Sequence, residues 1–109
     1  MKYQRGDVVW AVDPYRSGSN PRPWVVISNT TLPYANREYI ALVLTTHSHP
    51  GGRRLTAGDW EYGQPSDTSY ISPWTVGTLK HDQTDTIQGR LTASVVDKVV
   101  AALESYIEV

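Results

Sequence analysis

Arg22 stands between Pro21 and Pro23, at the head of the apolar run Trp24–Ile27. Each proline fixes φ and removes a backbone donor. The second also pushes Arg22 toward extended conformations. A guanidinium on so stiff a base has little freedom left to lose and is aimed in one direction. It is a permanent cation with donors in a planar fork, suited to holding an anion. The bland alternative is a surface arginine on a proline-rich turn. Two further clusters carry reactive groups. Thr45-Thr46-His47 ends a long apolar run and offers two hydroxyls and an imidazole, the side chain suited to proton transfer near neutral pH. Ser72-Pro73-Trp74-Thr75, with Lys80 nearby, offers hydroxyls, an indole and an ammonium.

Other chemistries find no support in the residues. Cys is absent, which excludes disulfides and thiolate metal sites. His47, His49 and His81 lack the spacing of a zinc site, and His49 and His81 are weaker candidates than His47 for any role. No Gly-rich phosphate loop, Gly-x-Ser-x-Gly elbow or metalloprotease helix motif occurs, so no metal or cofactor is expected. Four tryptophans could stack on unpaired bases. In so small a chain they more often fill the core, so Trp10 and Trp24 are assigned to core or interface, and Trp74 is left open.

The elements that must position these groups are short. Val8–Val12 reads as a strand stopped by Asp13-Pro14, and Tyr15–Pro21 as a turn-rich loop. Trp24–Asn29 is a second strand. Glu38–Thr46, apolar on both faces, is the strongest and reads as central. Arg53–Thr56 is a short edge strand, Ala57–Thr68 a loop, and Ser69–Leu79 a strand broken at Pro73 and bulged at Gly77. Val95, Val96, Val99, Val100, Leu103, Tyr106 and Ile107 form the stripe of an amphipathic helix. Thr92 or Ser94 caps it, and Asp97 suits its N-terminal dipole. About five strands and one helix fit a small twisted barrel with the helix packed on it, one domain over residues 1–109. Strand ends in such a barrel can bring the three clusters to one rim.

The 109 residues carry a net charge of −1, unevenly spread. Residues 1–57 hold seven Lys/Arg against three acids, a balance of +4, and residues 58–109 hold three against eight, a balance of −5. One face can therefore attract a polyanion. No apolar run is long enough to span a bilayer and Met1–Asp7 has no signal-peptide core, so a cytoplasmic protein is expected.

Taken in order, Gly6-Asp7, an apolar strand, Asp13-Pro14, a Gly/Ser loop and Arg22-Pro23-x-Val-Val-Ile-Ser resemble the MazF/PemK/Kid toxin family. Thr45-Thr46-His47 matches the family's second block, where Thr-Thr-Gln is usual. Tyr70–Thr78 and Gly89-Arg90-Leu91-Thr92 match the remainder, and Ser-Tyr-Ile-Ser-Pro-Trp-Thr-Val looks PemK-like. The resemblance implies an SH3-like barrel of the CcdB/MazF type with a C-terminal α-helix, a homodimer, a cognate antitoxin, and metal-independent, sequence-selective cleavage of single-stranded RNA.

Carried over by position, Arg22 is the catalytic arginine and Thr45 the threonine that helps hold the scissile phosphate. His47, where relatives often have Gln, is the candidate for proton transfer. Arg16, Ser19, Asn20, Thr46, Trp74, Thr75 and Lys80 complete the expected RNA contacts. Some relatives place an acidic residue or an Arg-x-Asp pair where this chain has Ser72–Thr75. The general base is therefore open between His47, Thr75 with a water, and a domain of little nuclease activity that only binds RNA or protein. A gyrase poison of the same fold is disfavoured, because those proteins end in Trp-Gly-Ile and this chain ends Tyr-Ile-Glu-Val.

Overall fold

A computed structural model describes residues 2–13, 20–65 and 67–109. Among these residues seven strands form one antiparallel sheet: β1 (Asp7–Ala11), β2 (Arg22–Val26), β3 (Glu38–Thr45), β4 (Arg53–Arg54), β5 (Trp60–Gly63), β6 (Tyr70–Lys80) and β7 (Thr84–Leu91). Their order across the sheet is β4-β6-β3-β2-β1-β7-β5. The sheet curls into a half-barrel, and one helix, α1 (Ala93–Ile107), closes it. No helix among the described residues is long and apolar enough to cross a membrane.

Alternation along the central strands builds two apolar layers. Val8, Val25, Leu42, Leu44, Ile71 and Leu91 face α1, which inserts Val95, Val96 and Val99. The intervening residues Val9, Ala11, Trp24, Val26, Tyr39, Ala41 and Val43 pack with Tyr3 and Leu79 on the other face. β3 is thus buried on both sides, as its unbroken apolar run requires. Thr92 caps α1, its hydroxyl accepting from the Val95 amide. Asp97 lies beyond the first turn and holds Arg5 at 2.9 Å instead of serving the helix end.

Three expectations are corrected. Ala57–Thr68 is not all loop: a 3₁₀ turn, Ala57–Asp59, leads into β5. The Asp59 carboxylate accepts from the Thr56 amide at 2.8 Å, which fixes that turn. β6 is continuous, and Gly77 pairs regularly with Ala41. The irregularity lies between the pairs Leu42↔Val76 and Leu44↔Ile71, so Ser72–Thr75 stand against Val43 alone. Pro73, which has no amide to donate, falls inside this offset. Finally, Thr84–Leu91 forms a full strand, bringing the count to seven. Most of its outer half is exposed and polar, so it lacks an apolar period and is held by its pairing with β1.

At one end of the sheet, Tyr39 donates to or accepts from His81 Nδ1 at 2.8 Å, and both rings lie against Tyr3. His81 is therefore part of the packing. Burial, the largest cause, raises the Tyr39 phenol above its ordinary value. Above about pH 10 the unfolded chain has lost this proton while the folded chain keeps it, so the unfolded state binds fewer protons and stability falls as pH rises. Urea denaturation is expected to show that alkaline loss in the wild type and a shallower one in Tyr39→Phe.

Candidate active site

The rim where β2 begins and β3 ends carries the reactive groups. The register Trp24↔Val43 and Val25↔Leu42 continues to set Arg22 opposite Thr45. Both residues line two adjoining clefts. One, of about 440 Å³, is bounded by Trp10, Pro21, Arg22, Pro23, Thr45, Thr46, His47 and Gln88, among others. The second, of about 210 Å³, adds His49, Ser72, Trp74 and Thr75 to Arg22 and Thr45. Arg22 and Thr45 form the ridge between them.

Arg22 is held where its stiff backbone aims it. Its side chain is 31% exposed and its Nη1 lies 3.5 Å from Asp13 Oδ2, a carboxylate that is 5% exposed. Asp13, read from sequence only as a strand stop, is thus an acidic neighbour of the guanidinium. The signal was present in the Asp-Pro pair, whose acid sits one strand away from Arg22. Thr45 Oγ1 accepts from the His47 amide at 3.2 Å, so its own proton is free to point into the cleft. His47 is exposed, its ring 6.4 Å from that of His49.

The offset in β6 presents its residues to the second cleft, a use of local irregularity common beside functional sites. Ser72 and Thr75 hydroxyls bond to each other at 2.7 Å, which ties the offset together. Trp74 is 45% exposed and meets Tyr106 of α1 edge-on, with ring centroids 6.4 Å apart. Of the other rings, Trp24 is fully buried, as assigned, and Trp10 is half-buried in the cleft wall. Gln88, on the unforeseen strand β7, lines the larger cleft, and its buried Oε1 has no hydrogen-bond partner among the described residues.

Not every expected contact converges. Lys80 is corrected: it sits at the far end of the β3–β6 pair, opposite Glu38, whose carboxylate it holds at 2.9 Å. Seven residue steps along β3 separate that end, at Glu38, from Thr45, roughly 23 Å of strand. Asn20 is exposed beside Pro21. Arg16 and Ser19 lie outside the described residues.

The site therefore joins a pre-aimed guanidinium, hydroxyl donors, an imidazole and an exposed indole on one open rim. Such a set can hold a phosphodiester, stabilise added charge on it and stack a flanking base.

Comparison with known proteins adds independent findings. A family model described as PemK-like, MazF-like toxin of type II toxin-antitoxin system matches residues 4–107. The chain is similar to the solved structure of an endoribonuclease from a mycobacterial species, at 25% identity and TM-score 0.64, covering 96% of this chain and 90% of that one. A mycobacterial endoribonuclease in complex with its cognate antitoxin aligns at 24% identity and TM-score 0.72, covering 96% and 93%. MazE-MazF from Deinococcus radiodurans (Form-III) aligns at 17% identity and TM-score 0.76, covering 98% and 97%. No curated protein matches the sequence.

Proposed function

The chain belongs to the PemK-like, MazF-like toxins of type II toxin-antitoxin systems, and on that footing we propose that it cuts single-stranded RNA internally, at selected sequences and without a metal ion. The observation that carries this reading is the sharing of Arg22 and Thr45 by two adjoining clefts. A phosphate seated on that ridge has a nucleotide on either side, one per cleft.

The chemistry follows from the groups present. The ribose 2′-oxygen attacks the adjacent phosphorus while its proton passes to a base. The bond to the 5′-oxygen breaks, and that oxygen takes a proton. The products are a 2′,3′-cyclic phosphate and a 5′-hydroxyl. Negative charge grows on the five-coordinate phosphorus, and the Arg22 fork stabilises it. Thr45 and Thr46 donate hydrogen bonds to the non-bridging oxygens. Ser72 and Thr75 are engaged with each other, which favours His47 for proton transfer. Trp74 and Thr75 contact the flanking nucleotide in the smaller cleft.

Asp13 positions Arg22 in this scheme. In Asp13→Asn the charged partner is lost while the fork remains, and turnover is expected to fall on the order of tenfold with KM little changed. Steady-state kinetics checks this, and an unaltered kcat removes the role.

The chain acts in the cytoplasm as a homodimer, held in check by a cognate antitoxin over the same rim. The decisive experiment offers mixed-sequence single-stranded RNA and the same sequence as DNA, both in EDTA. RNA fragments ending in cyclic phosphate, with intact DNA, are the expected result. Intact RNA, or cut DNA, overturns the reading.

A further inference from the structure

Most arginines among the described residues are engaged. Arg5 pairs with Asp97, Arg22 with Asp13, Arg53 with Asp59 and Arg90 with Asp7, while Arg37 stacks over the Tyr34 ring. Arg54 is the exception among the described residues: it is exposed and has no ion-pair or ring partner. Its place in the sheet is specific. Arg54 pairs with Tyr70 and Tyr70 pairs with Thr45. The β2–β3 register, extended two residues past Trp24↔Val43, brings Thr45 opposite Arg22, with which it lines both clefts. Residues directly opposite on antiparallel strands point to the same face. Arg54, Tyr70, Thr45 and Arg22 thus form one transverse row, with the two guanidinium-bearing backbones three strand spacings apart, about 14 Å.

The surface between them is continuous. Arg54 lines a depression of about 280 Å³ that shares Pro65, Asp67 and Ser69 with the larger Arg22 cleft. Asp67 puts a negative charge on that shared wall, which favours an anionic strand along the row of Tyr70 and Thr45 over one pressed against the wall.

From this row we infer that Arg54 is a second phosphate-binding site for the RNA strand, gripping a phosphate beyond the scissile one while Tyr70, half-buried between the two arginines, supports the intervening nucleotide. The inference rests on the RNA-cleaving reading of the Arg22 rim. Arg54 binds the strand and takes no part in the reaction, so its contribution is electrostatic and independent of sequence.

The test measures binding of a mixed-sequence single-stranded 2′-O-methyl RNA, which lacks the attacking hydroxyl, by fluorescence anisotropy at several salt concentrations. Arg54→Ala is compared with wild type and with Lys98→Ala, an equal loss of charge on the exposed side of α1. Arg54 is exposed on a two-residue edge strand, so its truncation spares the core. Arg54→Ala is expected to weaken binding about fivefold at low salt and to reduce the slope of log affinity against log salt by about 0.7, one phosphate contact on a single strand. Lys98→Ala should leave both near wild type. If Arg54→Ala matches Lys98→Ala in affinity and slope, while wild type binds and cuts RNA, the second phosphate site is overturned and the Arg22 centre stands. If wild type neither binds this probe nor cuts RNA, both are overturned.

Discussion

Arg22→Ala is expected to cut single-stranded RNA about two to three orders of magnitude more slowly than wild type, the loss typical of removing one pre-organised donor from a charge-stabilising site. The magnitude follows from timing. In the proposed reaction the ground-state phosphodiester carries one charge, for which the hydroxyls of Thr45 and Thr46 suffice. In the five-coordinate structure the charge has grown, and Arg22 is the cation that the ridge between the clefts presents to it. On that scheme the arginine contact is strongest where the barrier is highest, and its removal is expected to lower kcat more than it raises KM. Arg22→Lys keeps a charge but loses the planar fork, and an intermediate rate is expected. The fold is expected to be retained at some cost in stability, because the Arg22 side chain is partly exposed and its pair with Asp13 is long, at 3.5 Å, while the Asp13 carboxylate it leaves is buried. Circular dichroism of both variants should match wild type. Equal cleavage by wild type and Arg22→Ala would remove the arginine from the chemistry.

Asp7→Ala tests the other strong interaction and reads stability. Asp7 opens β1 and is 1% exposed. One carboxylate oxygen accepts from Arg90 Nε at 2.7 Å, and the other from the Gln4 amide at 2.7 Å. The Arg90 guanidinium is raised above its ordinary value, first by this hydrogen bond. Arg90 also lies over the Tyr62 ring at 5.5 Å, so one carboxylate links β1, β7 and β5. Gly6 completes the corner. Its φ of +101° is a conformation that suits glycine, and a Cβ there would stand 3.0 Å from the Leu91 carbonyl oxygen. The Gly6 amide donates to Val26 at 2.7 Å, and its carbonyl accepts from Leu91 at 2.9 Å.

Truncation at Asp7 leaves the Gln4 amide and the half-buried Arg90 guanidinium without their shared acceptor. The expected cost is about 2–3 kcal/mol, at the upper end for bonds to charged groups because two are lost together. Urea denaturation measures it as a lower midpoint at unchanged m. A loss under about 0.5 kcal/mol would mean that water replaces the carboxylate freely. Gly6-Asp7 thus owes its place in the recognisable series of motifs to folding, whereas Arg22 in the same series serves the proposed reaction.

The two kinds of residue were not equally legible. Arg22 could be singled out because its restraint is local: two proline rings stiffen one backbone whatever the rest of the chain does. β1, β2 and β3 were legible to within a few residues because apolar runs mark buried strands, and α1 because its stripe repeats at helical spacing. Thr92 was among the expected caps because the hydrogen bond it makes spans only three residues.

Asp13 was visible as a residue but not as a partner, since its distance from Arg22 depends on how β1 pairs with β2. Lys80 was misplaced for the converse reason. It is near Thr75 along the chain, yet β6 is fully extended there and carries it to the far end of the sheet. β7 had no apolar alternation to reveal it, because its role is to close the sheet against β1 and β5. Gln88 and the Arg54–Tyr70–Thr45–Arg22 row follow from register.

The sequence by itself therefore determined the local preferences: which stretches extend, which one coils, and which arginine is stiff. Only the tertiary structure decided which residues meet. Periodicity and proline restraint act over a few bonds, whereas strand order and register come from long-range pairing, in which every strand must bury its faces and satisfy its backbone at once.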